Sequence, residues 1–139
     1  MPDEAARLLG QYVRRLDDED FEGWLDLFAE NSYYSVIHHT EFTKGTNFVI
    51  VGEKKEKLRQ RVLAAAEEDR RRSTHLLTGI EAKDSSAIAN FALLKDGALI
   101  FAGRYLLEFA TENGDVTKIH RCTVVLDNAV IEDVVFMPI

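Results

Sequence analysis

The feature that most constrains this chain is a change of hydrophobic period near residue 70. Before it, apolar residues recur at three- and four-residue steps; after it they alternate in twos. The alternation predicts strands over 74–82, 86–95, 98–110, 116–127 and 130–137, divided by turns. "KDGA" sets Asp96-Gly97 between two apolar runs, and "ENGD" repeats the pattern at Asn113-Gly114. Both are two-residue hairpin signals, since Gly adopts positive φ freely, so consecutive strands should run antiparallel. No proline interrupts positions 3 to 137 to remove a ladder donor. Helices first and strands last imply an α+β fold, with N-terminal helices packed on a curved antiparallel sheet. A sheet curved over a long helix forms a cone-shaped cavity, a setting for a small molecule among mostly apolar walls.

The helical part reads in three pieces. Ala5, Leu8, Leu9, Tyr12, Val13 and Leu16 line one face of a first helix. The acidic "DDED" breaks the pattern, and Asp18 or Asp20 caps a second helix expected to carry Phe21, Trp24, Leu25 and Phe28. "SYYSVI" has strand character, "HHTEFTKG" has no assignable structure, and "FVIV" is a short strand or an apolar plug. Leu58, Val62, Ala65 and Ala66 mark a third helix running from Glu53 to about Asp69. Arg70, Arg71 and Arg72 then read as a solvated helix end, cations opposing the negative end of the dipole, or as a subunit contact.

With 139 residues the chain fits one domain, 1–139, which at that size buries roughly two-thirds of its unfolded surface. Its net charge of −7 argues against nucleic acid, whose binding rests on accumulated Lys and Arg. No apolar stretch approaches the roughly 20 residues that span a bilayer. The acidic N-terminus does not read as a secretory signal, so a cytoplasmic address is expected. A single cysteine, Cys122, cannot form an internal disulfide and agrees with a reducing compartment.

Order, length and residues together resemble the nuclear-transport-factor-2-like, or cystatin-like, superfamily. Within it the chain is most similar to the small (beta) subunit of aromatic-ring-hydroxylating dioxygenases, and more distantly to polyketide-cyclase-like and scytalone-dehydratase-like proteins. "YVRRLDDEDFEGWLDLF", "LRQRVLAA", "RRSTHLLTGIEA", "FAGRYLLEF" and "KIHRCTVVLDNAVI" carry the resemblance over roughly residues 8 to 139. It implies a non-catalytic role in assembly within aromatic compound catabolism, beside a large subunit holding a Rieske cluster and a mononuclear iron. It also implies a homo-oligomer, dimer or trimer, and a pocket for a small hydrophobic or aromatic ligand. One Cys cannot supply the two Cys and two His that a Rieske cluster needs, so no cofactor is expected in this chain.

The stand-alone dehydratases of the superfamily imply an alternative, a dehydratase, isomerase or cyclase acting on an aromatic or polyketide-like substrate. Whether the chain is an enzyme is therefore left open; a catalytic chain would be a cofactor-independent lyase or isomerase. "YVRRLD" and "THLLTG" resemble the pieces that carry an Asp and a strand His there. By that resemblance Asp17 and His75 form an acid/base pair assisted by Tyr12, the imidazole taking a proton from carbon and the carboxylate fixing its tautomer. The same pair can instead tie a helix end to a strand. Trp24, Tyr34, Arg104 and His120 are the candidate pocket residues. Arg104 and Arg121 lie in apolar strands and should find carboxylates, Glu108 or Asp127, or another subunit. His38 and His39 point to opposite faces of a strand, and without a His-x-x-x-His pair or a Cys cluster no metal site is expected. Cys122 reads as a buried apolar residue rather than a nucleophile, and no glycine-rich phosphate loop is present.

Overall fold

The computed structural model describes residues 2–46, 49–128 and 139. The expected strand at 130–137 lies outside the described residues. Helix α1 (Pro2–Asp17) begins on a proline with Asp3 and Glu4 in its first turn and closes on Arg14 and Arg15, each suited to its end of the dipole. Its apolar stripe, Ala5, Leu8, Leu9, Tyr12 and Leu16, is buried, and each leucine so buried is worth about 1.5–3 kcal/mol relative to exposure. The helix stops where Glu19 turns into the left-handed region at φ 60. The Asp20 N–H then returns to the Arg15 carbonyl at 2.8 Å.

Asp20 caps α2 (Phe21–Leu25), accepting from the Gly23 N–H. The second helix is shorter than expected: Phe28 opens strand β1 (Phe28–His38) instead of sharing a helix with Trp24. Their rings still meet, 4.8 Å between centroids, because the chain reverses tightly between them. The unassigned "HHTEF" contains a single turn of helix, α3 (His39–Thr43). β2 (Val51–Lys54) leads into α4 (Lys55–Glu68), and the meander follows as β3 (Ser73–Ala82), β4 (Ser86–Lys95), β5 (Ala98–Glu112) and β6 (Asp115–Leu126).

These six strands form one sheet in the order β2-β1-β6-β5-β4-β3. Every pairing is antiparallel except β1 with β6, which is parallel. Both predicted hairpins carry positive φ at each turn residue, Asp96 and Gly97, Asn113 and Gly114, the geometry that matches strand twist. The sheet bends at bulges. In β3 an extra residue falls between Thr78 and Glu81, where Gly79 sits at φ 60. Gly103 permits a close approach: a Cβ there would lie 1.8 Å from the Val125 carbonyl oxygen.

The sheet is curved and unclosed, and α1, α2 and α4 cover its inner face, giving the α+β architecture expected. The core lies between the layers, where Tyr12, Trp24, Phe28, Tyr34 and Tyr105 are all fully buried. Among the described residues no helix is long and apolar enough to cross a membrane.

Candidate functional site

Asp17 is the last residue of α1, a position where the helix dipole disfavours a carboxylate. Strand β3 supplies what the helix end lacks. The His75 N–H donates to Asp17 Oδ2 at 2.8 Å, and His75 Nδ1 lies 2.5 Å from Oδ1. An ionised carboxylate only accepts, so Nδ1 carries the proton. The Ser73 hydroxyl donates to the same oxygen at 3.4 Å. Burial works against the charge on Asp17, but the bonds from the His75 ring and main chain outweigh it and hold the carboxyl below its ordinary range. The His75 side chain is 1% exposed and that of Asp17 15%. His75 Nε2 is buried and has no hydrogen-bond partner among the described residues.

Tyr12 stands five residues earlier on α1 and engages different partners. Its hydroxyl donates to the Ile139 main-chain oxygen at 2.7 Å and receives the Cys122 thiol at 3.6 Å. The Tyr34 hydroxyl accepts from the Ile139 N–H at 3.3 Å. Rings of Trp24 and Tyr105 pack against Tyr12 with centroids 5.5 and 5.0 Å away. Burial pushes all three tyrosine hydroxyls above the ordinary phenol range and the Cys122 thiol up to about 12. Cys122 is therefore a neutral core thiol, unsuited to nucleophilic work.

The structure thus brings Asp17 and His75 into contact, and separately joins Tyr12, Trp24 and Tyr34 around Ile139. The other two proposed pocket residues are elsewhere. Arg104 and His120 are exposed and do not line this interior. His120 is displaced by a bulge: Glu108 pairs Arg121 and Phe109 pairs Ile119, so His120 is the extra residue. Strict alternation would have sent Ile119 and Cys122 to opposite faces; the bulge buries both. Arg104 has no charged partner among the described residues, which its exposure makes harmless. Arg121 does meet Glu108, at 3.4 Å, and covers the Tyr33 ring at 5.6 Å. Both ring nitrogens of His38 are engaged, Nδ1 accepting from the Thr40 N–H and Nε2 lying 2.5 Å from the Asn128 carbonyl oxygen.

The arginine run is not a plain solvated end. Asp69 follows α4 and accepts from Arg71 Nε at 3.0 Å and Nη2 at 2.9 Å, and from Lys95 Nζ at 2.5 Å. Arg71 hydrogen bonds and, against burial, Lys95 hold Asp69 far below the carboxylate range. A cavity of about 30 Å³ borders this cluster, lined in part by Leu16, Phe21 and Ser73, which is room for about one water.

Comparison with known proteins decides the family. A model of the ring hydroxylating beta subunit family matches residues 11–133. The chain belongs to this family. A solved structure from Novosphingobium aromaticivorans, described as the beta subunit of an aromatic-ring-hydroxylating dioxygenase, is 26% identical over 99% of this chain and 96% of its own, with a TM-score of 0.80. The benzoate 1,2-dioxygenase beta subunit of Burkholderia mallei shares the fold at 19% identity, 95% and 94% coverage and a TM-score of 0.66. So does a cystatin-like protein of unknown function from Nostoc punctiforme, at 18%, 91% and 91%, and 0.66. No curated protein matches the chain.

Within this beta subunit family member, two interior residues escaped sequence reasoning. Tyr105 was detectable, since alternation along "FAGRYLLEF" turns Phe101, Gly103, Tyr105 and Leu107 to one face. Ile139 was not, because its contacts with Tyr12 and Tyr34 span 127 and 105 residues.

Proposed function

We propose that this beta subunit serves assembly in a ring-hydroxylating dioxygenase, binding in the cytoplasm to a larger subunit that carries the Rieske cluster and the iron. The observation that carries this reading is the interior. Where a substrate pocket would open, Tyr12, Trp24, Tyr34 and Tyr105 pack on one another and Ile139 completes them, all fully buried. The outer sheet face, by contrast, offers material for subunit contacts. Leu76 and Leu99 are 53% and 64% exposed, and an open cleft of about 520 Å³ runs beside Ile88, Leu106 and Thr123. Apolar surface of this kind favours association, including with further copies as a dimer or trimer.

Co-expression with a Rieske large subunit from the same genome, followed by affinity capture and native mass spectrometry, tests the proposal. A mixed complex of both chains is expected, and a dimer or trimer when the chain is made alone. A chain that remains monomeric and captures no large subunit overturns it.

One observation favours a second reading, a dehydratase or isomerase. The buried Nε2 of His75, without a partner among the described residues and with Asp17 fixing its tautomer, has the arrangement of a general base. Purified chain incubated with β-hydroxy ketones should then release water, and His75→Asn and Asp17→Asn should each lose activity about 100-fold or more. Absence of water release by the wild-type chain, or variants that keep the wild-type rate, would discard it.

A further inference from the structure

The cations of this acidic chain are not spread evenly. Arg7, Gln11 and Arg15 recur every four residues and so share one face of α1. Across from them stand Thr117 and Lys118 of β6 and the turn from α2 into β1, and an open groove of about 270 Å³ runs between. Among the described residues the only carboxylate on its walls is that of Asp26. A chain of net charge −7 thus holds here an excess of two positive charges. Glu4, three residues before Arg7, is engaged elsewhere, its carboxylate accepting the Val116 N–H at 3.2 Å.

What holds these cations matters more than their number. Arg15 Nη1 donates to the Gly23 carbonyl at 2.9 Å, and Lys118 Nζ donates to the Asp26 carbonyl. Main-chain oxygens fix the two side chains in place without cancelling their charge. Arg71 and Lys95 are the reverse case, since Asp69 neutralises them. A cation already fixed loses little freedom when an anion arrives, and its remaining N–H groups are still available as donors. Spacing then selects the anion. Arg7 and Arg15 are separated by eight residues, about 12 Å of helix rise, with the Gln11 amide midway. One compact anion meets only part of a row of charges this long, whereas two anionic groups on a short chain meet both ends. The groove floor includes Leu8 and Leu27, both buried, which suits methylenes, and a guanidinium fork matches a carboxylate through two parallel bonds.

We infer that the groove between α1 and β6 is a binding site for a linear dicarboxylate, its two ends held by Arg7 and Arg15, with Lys118 assisting from β6. Binding needs the single chain alone.

The probe is pimelate, titrated into the full chain at neutral pH and constant ionic strength, with heptanoate as the monoanion of the same length. The readout is the 15N side-chain amide resonance of Gln11, and the one other glutamine, Gln60 on α4, is the internal reference. Pimelate should move the Gln11 resonance saturably while Gln60 stays, and heptanoate should bind at least about fivefold more weakly. Arg7→Gln and Lys118→Gln should each weaken pimelate binding by about threefold to fivefold. Arg14→Gln removes a cation that pairs instead with Asp18, at 3.9 Å, and should leave the affinity unchanged. The wild-type titration stands even if a variant fails to fold. No saturable movement of Gln11 by about 20 mM pimelate, equal affinity for pimelate and heptanoate, or tighter binding of pyrophosphate than of pimelate overturns the inference. So does equal affinity in wild type and in folded Arg7→Gln and Lys118→Gln.

Discussion

Two aspartates end two helices of this molecule against the dipole, and residues at the entry to β3, joined in one case by Lys95 from the end of β4, repair both. Asp69, after α4, is answered by Arg71 and Lys95; Asp17, at the end of α1, is answered by His75 and Ser73. The first cluster sets a carboxylate between two permanent cations beside an open charged cleft of about 430 Å³. The second sets its carboxylate against one imidazole whose other ring nitrogen, buried in the core, has no partner among the described residues. A junction built only to hold would be expected to look like the first, with every charge answered. The unanswered nitrogen of the second is what keeps a chemical role for His75 worth testing.

Asp69→Asn should be the most damaging change. The Asp69 and Lys95 side chains are 7% and 11% exposed, so the variant leaves an ammonium poorly solvated and without its counter-charge. Removing one partner of such a pair destabilises by about 2–4 kcal/mol after allowance for the partial exposure of Arg71. Urea unfolding should show this as a lowered midpoint with unchanged slope. A loss under about 1 kcal/mol would mean the cluster is only decorative.

Asp17→Asn should lose less, about 1–3 kcal/mol, because the amide oxygen still accepts from the His75 N–H and only the charge-assisted bond is weakened. It should also perturb Trp24 fluorescence, since the Asp17 charge acts on Tyr105, whose ring packs on Tyr12 and Tyr12 on Trp24, whereas Asp69→Asn should leave that signal unchanged. If both variants behave alike on this readout, the two junctions are not distinct.

Acid sharpens the same contrast with a smaller effect. Both carboxyls titrate lower when folded than when unfolded, so the unfolded chain binds more protons as pH falls. Their stabilisation is complete above the ordinary carboxylate range and is lost as pH descends toward the folded values. Asp69 is held lower than Asp17. The stability lost between about pH 6 and pH 4 should therefore be less in Asp69→Asn than in wild type, with Asp17→Asn between them. Urea midpoints at the two pH values measure this, and an unchanged difference in both variants would contradict it.

Local chemistry explains what was legible in the sequence. The α1 face, the Asp20 cap and the two Asx-Gly hairpins depend on residues a few positions apart, and all are as read. The parallel union of β1 with β6 joins segments about 90 residues apart, and nothing local announces it. Phe28 was misplaced because its spacing from Trp24 and Leu25 fits a helix equally well, and only the turn at Asp26 and Leu27 separates them. The Asp17–His75 contact was reached through resemblance; spacing alone could not have paired a helix end with a strand 58 residues on.

The smallest effect belongs to His120, and it tests why alternation failed there. The residue was a pocket candidate only on the assumption of unbroken two-residue period through "KIHRC". The bulge between Glu108 and Phe109 of β5 leaves it as the unpaired extra residue, exposed, with Ile119 and Cys122 both buried around it. A side chain in that position packs against nothing in the core, so His120→Ala should change stability by no more than about 0.5 kcal/mol. Deleting residue 120 should do far more, because without the extra residue Ile119 and Cys122 cannot both face inward, and one of two fully buried side chains must turn to solvent. That exchange is worth about 2–4 kcal/mol. A deletion as mild as the alanine variant would show that β6 can slip its register, and that the bulge does not hold Cys122 beneath Tyr12.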